Sequence, residues 1–501
     1  MKFIVEAAMN KKILILFGLI LSFSHGLAQD LSFERYFQDQ ALRLDLYQVG
    51  DAKEEFISLH RIFLEPVWPE PLTGLIQPFD YGRYLIKVYD VASNRLIFSR
   101  GLESVFGEYR TTSPALAGVK KAMERSIRIP CPKKPVTLVI EKRNKKNIPY
   151  PFFELTIDPQ DYHIIRETAA CGDAVIEKQR TGDPHEKVDL VFIAEGYLSS
   201  DQEKFKTDVD RFTDYLFKVE PYRSHKDDFN IYGIFRPSTE RAMDEPRQRA
   251  YKKTILNASF NAFDLDRYML IDDNHRLREI AAQVPYDTIV VLVNSSRYGG
   301  GGIGFDYCVT TTDHPSSLQV FIHEFGHSFA YLADEYYQSE VAYNEFYPPG
   351  VEPLEPNITA LLDPDNIKWK ELLSPGIAVP TEYGKEKLEA WQAERRTLRQ
   401  KQMEETEAAK KAGLPEAKIK ALQEKYQARD KEIQAKIEAV RKEYAYLADK
   451  VAAFEGAGYA SKGLYRPQMY CIMGSNQRGE FCKVCQWAIT KMIDFYCGRL
   501  R

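Results

Sequence analysis

Five consecutive residues, His323-Glu324-Phe325-Gly326-His327, carry the densest chemistry in this 501-residue chain. They form the pattern H-E-x-x-H inside residues 316–331, where Leu318, Phe321, Ile322, Phe325 and Phe329 recur at helical spacing. On a helix, His323 and His327 stand one turn apart on one face, so both imidazoles can bind a single Zn²⁺. Glu324 is then placed to take a proton from metal-activated water. The chain has nine histidines, and two of them sit at ligand spacing around a glutamate. An incidental pair on a buried helix is the weaker reading.

Two histidines do not complete a catalytic zinc site, which takes three protein ligands and one open position. Leu332-Ala333-Asp334-Glu335-Tyr336 follows directly, with Asp334 seven residues after His327. An unbroken helix would carry Asp334 about 10 Å too far along the axis. Asp334 can be the third ligand only if the helix ends near Ala330 and the chain folds back; Glu335, with its longer side chain, is the alternative. Acids at a helix C-terminus oppose the macrodipole, which favours a metal role over a solvated helix end. Far downstream, Tyr470-Cys471-Ile472-Met473-Gly474 is an apolar turn carrying a methionine, and Met473 resembles the Met-turn residue that forms the floor beneath the zinc-binding histidines of metzincin peptidases.

Residues 297–304, Arg-Tyr-Gly-Gly-Gly-Gly-Ile-Gly, precede the H-E-x-x-H segment. Glycines such as Gly300 and Gly301 let one backbone approach another closely, and an edge segment here could pair with an extended peptide. A mobile surface loop is the competing reading, and a phosphate loop lacks its Lys-Ser/Thr. Cys482-Lys483-Val484-Cys485 has only Cys471 and Cys497 as local companions, so packing or disulfide use is expected for these cysteines. The acids Asp264, Asp266, Asp272 and Asp273 lack calcium-loop spacing.

Several elements must hold these residues in place. Residues 29–160 read as an all-β sandwich: residues 85–98 and 136–157 form hairpin patterns, and nothing in them looks catalytic. Residues 161–186 read as a linker. From 187 to 501, apolar strands at 188–194, 229–235 and 288–293 alternate with helical patterns at 200–217 and 266–283, an α/β (α+β) arrangement with a mostly parallel sheet. Ser200 and Glu203 have capping-box spacing. Residues 384–450 are rich in Lys, Arg, Glu, Gln and Ala and are split by Gly413-Leu414-Pro415. Ile419, Leu422, Tyr426, Ile433, Ile437, Val440, Tyr444 and Leu447 form a seam in the second half. This predicts an inserted antiparallel helical hairpin, a coiled-coil arm whose base lies near the site and which could engage a partner.

Lys11 and Lys12, the apolar run at 13–21 and the small residues before Ala28 predict a signal peptide over residues 1–28 and a product that is secreted or held in the periplasm or cell envelope. The run is too short to span a membrane. Lys plus Arg is 68 against 72 Asp plus Glu, so no basic excess points to nucleic acid. Seven cysteines are too few for a disulfide scaffold.

The chain resembles the bacterial IgA-peptidase family of secreted zinc metallopeptidases. The resemblance rests on His323-Glu324-Phe325-Gly326-His327-Ser328-Phe329, Leu332-Ala333-Asp334-Glu335-Tyr336, Phe454-Glu455-Gly456-Ala457-Gly458-Tyr459 and Gly463-Leu464-Tyr465-Arg466-Pro467. It implies a metzincin-like catalytic domain behind an accessory β-domain, one zinc ion, endopeptidase activity on protein or peptide substrates, and a third ligand from the Leu-Ala-Asp-Glu-Tyr run. Typical metzincins have Gly where Ala330 stands and a ligand where Ala333 stands. Some also place a Tyr two residues after the turn methionine to stabilise the oxyanion, where this chain has Ser475, so Tyr465 or Tyr470 would have to serve, or no tyrosine does. Two other functions fit the residues less fully: an envelope or host-surface binding module, and a zinc hydrolase acting on a non-peptide substrate.

Overall fold

A computed structural model describes residues 31–166, 172–337, 346–474 and 478–500; the signal-peptide segment and Ser475 lie outside the described residues. A single turn, α1 (Phe33–Tyr36), leads into β1 (Phe37–Gly50), β2 (Glu55–Glu65), β3 (Tyr84–Asp90) and β4 (Arg95–Leu102). Two short helices, α2 (Val105–Tyr109) and α3 (Ser113–Leu116), precede β5 (Lys121–Pro132), β6 (Val136–Arg143) and β7 (Pro149–Ile157). The strands form two antiparallel sheets, β2-β1-β5 and β4-β3-β6-β7. Alternation along β3 and β6 buries Tyr84, Ile86 and Val88 and, beside them, Val136, Leu138 and Ile140. These meet Leu42, Leu44 and Leu46 of β1 and Trp68 in one core, so the two sheets pack face to face.

The second region is mixed α/β. Its elements are β8 (Ala174–Gln179), β9 (Val188–Glu195), α4 (Gln202–Leu216), β10 (Phe229–Phe235), the short pair β11 (Ala258–Ser259) and β12 (Leu270–Ile271), α5 (Asn274–Ala281), β13 (Thr288–Val293), β14 (Gly300–Ile303), β15 (Tyr307–Thr311) and α6 (Ser317–Ala330). The sheet order is β14-β15-β13-β9-β10-β8, parallel in its four central strands and antiparallel at both edges. Every residue of β9, β10 and β13 is buried, as continuous apolar runs between covered faces require.

The stretch read as a linker contributes β8, which pairs with β10 and closes one sheet edge; its polar, alternating sequence hides a strand half exposed at that edge. The helix expected over 266–283 covers only Asn274–Ala281, because residues 267–271 pair with β14 and β11 instead. The cap of α4 is not Ser200 with Glu203: Asp201 Oδ2 accepts the Leu198 amide at 2.9 Å, so the turn begins two residues earlier.

After α6 the chain runs through α7 (Lys385–Lys411) and α8 (Glu416–Glu443), then β16 (Phe454–Ala457), β17 (Ala460–Arg466) and α9 (Lys483–Tyr496). Lys387 meets Glu443, and Arg395 pairs with Asp430 at 2.8 Å, so α7 and α8 lie antiparallel. Along α8, burial is confined to Ile433, Ile437 and Val440, near its C-terminal end. At the base, Lys385 lies over the ring of Tyr337, three residues after Asp334. Among the described residues no helix is long and apolar enough to cross a membrane.

The β-domain is held to the α/β domain by buried charge. Asp306 accepts from both Arg125 of β5 and Arg278 of α5, and Arg128 donates to the Tyr286 carbonyl at 2.6 Å. One buried carboxylate between two guanidiniums is satisfied only while both domains stay in place.

Candidate active site

The site is built where α6 lies against β14. Gly300 and Gly302 face the helix: a Cβ on Gly302 would stand 2.3 Å from the Glu324 carbonyl oxygen, and one on Gly300 would stand 2.5 Å from Val320 Cγ1. On the opposite face, a Cβ on Gly301 would meet the Met269 carbonyl at 2.3 Å. The glycines are therefore a packing requirement on both faces of an edge strand. Part of the strand's outer edge is already used: Gly300 accepts from the Met269 amide at 3.1 Å and donates to the Arg267 carbonyl at 3.3 Å. At Gly300 a peptide would have to displace this pairing.

The histidine side chains converge. His323 Nε2 lies 3.2 Å from His327 Nε2, and Asp334 Oδ1 lies 3.1 Å from the first and 3.4 Å from the second. His323 Nδ1 is 3.0 Å from the Ile472 carbonyl and His327 Nδ1 is 2.5 Å from the Leu332 carbonyl. A carbonyl can only accept, so both Nδ1 atoms carry hydrogen, and each Nε2, facing one carboxylate oxygen, is left to carry either a proton or a metal ion. Such a cluster is repulsive without a cation. The three edges match those of a tetrahedron around zinc, about 3.3 Å for Zn–N and Zn–O bonds near 2.05 Å. Asp334 Oδ1 is buried and has no hydrogen-bond partner among the described residues, as an oxygen reserved for a metal would be.

Asp334 reaches this position because α6 stops at Ala330. Tyr331 takes the left-handed conformation, φ 55°, and its amide and that of Leu332 return to the carbonyls of His327 and Gly326. A non-glycine residue there costs about 1–2 kcal/mol. Tertiary contacts hold it: the ring stacks on Phe305 and Tyr81, and the hydroxyl donates to Glu103 Oε2 at 2.8 Å. Tyr81 and Glu103 belong to the β-domain, which thus anchors the reversal that delivers Asp334. Asn357, fully buried, clasps Ala333 through both its amide and carbonyl, at 2.7 and 2.8 Å.

Glu335 turns away from the histidines; its Oε1 accepts from Asn357 Nδ2 at 3.0 Å and its amide donates to the Met473 carbonyl at 2.7 Å. Met473 is fully buried, and its sulfur would lie 2.8 Å from a Cβ on Gly326, so this glycine makes room for the methionine under the helix. Tyr465 and Tyr470 are not among the residues lining the cleft at the site, which has a volume of about 700 Å³. Tyr336 and Tyr459 line it instead. The Tyr459 hydroxyl donates to Asp334 Oδ2, and Tyr336 stacks near His323. Tyr336 belonged to the motif already singled out and Tyr459 to a Gly-rich segment; Asn357 and Glu103 carry no sequence signal.

Burial alone would lower the His327 pKa, but the Asp334 carboxylate outweighs it and holds it at about 9; His323 is raised in the same way. Asp334, although buried, is held far below the ordinary carboxylate range by the two imidazoles. Glu324 is pushed up, first by burial and then by Asp334. A raised carboxyl suits proton transfer in both directions near neutral pH.

The family described as IgA Peptidase M64 matches residues 176–493, and Peptidase M64 N-terminus matches residues 32–153. The chain belongs to the IgA Peptidase M64 family. No curated protein matches it. Membership in this metallopeptidase family makes the α/β region a peptidase domain, with protein or peptide as its substrate class, and the preceding sandwich the family's N-terminal domain. The family match spans α7, α8, β16 and β17 and runs into α9, so the segments that supply Tyr459 and Met473 belong to the peptidase domain.

Proposed function

We infer that this protein is an exported zinc-dependent endopeptidase of metzincin-like design. The observation that carries the reading is the triangle of His323 Nε2, His327 Nε2 and Asp334 Oδ1, with edges of 3.1–3.4 Å and both Nδ1 atoms committed to carbonyls. His323, His327 and Asp334 would hold the ion, above Met473. Zinc held there would lower the pKa of water and polarise the scissile carbonyl. Glu324, half-buried against β14, takes the proton from the attacking water and passes it to the leaving amine. Tyr336 faces the same cleft, where its neutral phenol, raised by burial, can donate to a developing oxyanion. Export rests on the charged and apolar pattern of residues 11–28.

The test pairs zinc analysis with proteolysis of a denatured protein substrate. Glu324→Gln should keep its zinc at the histidine site and lose cleavage by at least about a hundredfold, the usual contribution of a general base. Equal cleavage by wild type and variant would remove Glu324 from the mechanism.

A further inference from the structure

Behind Asp334 lies a second cluster of potential ligands that peptide hydrolysis does not use. Glu335 follows Asp334 directly, Cys471 stands two residues before Met473, and Cys482 and Cys485 sit at the N-terminus of the fourteen-residue helix α9. All four are buried, with exposures of 2%, 2%, 3% and 0%. Their ligand atoms all lie within 4.8 Å of one another. We propose that Glu335, Cys471, Cys482 and Cys485 form a second metal site, a closed structural site for a zinc-class divalent cation.

The distances favour a cation over the two other uses of cysteine. Cys471 Sγ and Cys485 Sγ are 3.7 Å apart, and Glu335 Oε1 lies 3.6 Å from Cys482 Sγ and 3.1 Å from Cys485 Sγ. A tetrahedron with Zn–S near 2.3 Å and Zn–O near 2.1 Å has S–S edges of about 3.8 Å and S–O edges of about 3.6 Å. A disulfide requires about 2.05 Å, and would join only two of three sulfurs, leaving a thiol against a buried carboxylate. Plain packing does no better. Glu335 Oε2 is buried without a hydrogen-bond partner among the described residues, a costly arrangement for any carboxyl that has no ion to serve.

The surroundings suit thiolates. The Cys482 amide donates to Cys471 Sγ at 3.2 Å and the Cys485 amide to Cys482 Sγ at 3.4 Å, both in the first turn of α9, where the helix dipole favours negative charge. Asn357 Nδ2 orients Glu335 from outside, as a partner behind a ligand does. Three soft sulfurs in a four-ligand shell select zinc over calcium or magnesium. On binding, three thiols release their protons to solvent. Such an ion would tie the chain reversal after α6, the turn carrying Met473 and helix α9 into one unit, immediately behind Asp334. The site stands independently of the peptidase reading.

The test uses the full chain, with metal content by mass spectrometry and cobalt(II) replacing zinc. Two zinc ions per chain are expected for wild type, one for Cys485→Ser and one for His323→Ala. The sulfur-to-cobalt charge-transfer band should appear in wild type and His323→Ala and vanish in Cys485→Ser. Should Cys485→Ser fail to fold, the wild-type cobalt spectrum alone decides. A single ion lost in His323→Ala with no thiolate band, or an intact mass showing a disulfide between two of the three cysteines, would overturn the proposal. One ion lost in Cys485→Ser and kept in His323→Ala would support it while removing the histidine site.

Discussion

Tyr459 offers the sharpest probe of the histidine site, because one atom separates the perturbed from the native state. Its hydroxyl donates to Asp334 Oδ2, the oxygen that does not face the histidines. Phe at this position removes the hydroxyl and keeps the ring, which meets Tyr336 edge-on at 5.7 Å between centroids. A hydrogen bond to a charged group contributes about 1.5–3 kcal/mol, roughly 10- to 150-fold in an equilibrium constant. Two features place this case toward the lower end. A bound cation shares the charge of Asp334, and the nearby Tyr336 phenol interacts with the same carboxylate. Losing a partner behind a metal ligand costs about 10–100-fold in affinity. Zinc should therefore bind Tyr459→Phe about ten- to thirtyfold more weakly, by chelator competition at fixed pH. At saturating zinc, kcat should fall far less than affinity. A Kd within about twofold of wild type, or a loss as complete as in Asp334→Ala, would refute the assignment of Tyr459 as the support of a metal ligand.

Other outcomes follow from the same geometry. In the metal-free site the Asp334 carboxylate keeps His327 protonated up to about pH 9, so an entering ion must displace at least that proton. Metal affinity should then rise about tenfold per pH unit until about pH 9 and flatten above it; Asp334→Ala should move the bend toward the ordinary imidazole range, and a flat profile below pH 9 would contradict this. Gly302→Ala would set a methyl 2.3 Å from the Glu324 carbonyl, so Tm should drop by a few degrees, an overpacking cost of about 1–3 kcal/mol, together with activity. Tyr331→Phe keeps the stack on Phe305 and Tyr81 but strips Glu103 of a buried donor. Arg83 still pairs with Glu103, so the loss should be about 1 kcal/mol in chemical denaturation. An unchanged midpoint would mean that Glu103 does not anchor the reversal.

The sequence by itself determined what depends on local period and residue type. Apolar runs of 188–194, 229–235 and 288–293 are strands because a strand covered on both faces must be apolar throughout. The spacing of His323 and His327 puts two imidazoles on one face of α6, since 3.6 residues make a turn. The chain reversal was legible only as a condition: Asp334 could join the histidines if the helix ended near Ala330. What satisfies that condition lies elsewhere in the chain. Tyr331 keeps a left-handed backbone because Phe305, Tyr81 and Glu103 surround its side chain, and no local pattern announces a conformation that long-range packing imposes. Residues 267–271 have a helical pattern yet pair with the glycine strand, since tertiary pairing overrides a short amphipathic period. Cys471 and the Cys482–Cys485 pair were visible as cysteines, but Glu335 joined them only when the reversal turned it away from Asp334. Spacing along a chain fixes which side chains share a face; which faces meet is decided by burial summed over the whole molecule, and both candidate metal-ligand clusters join residues that only the fold brings together.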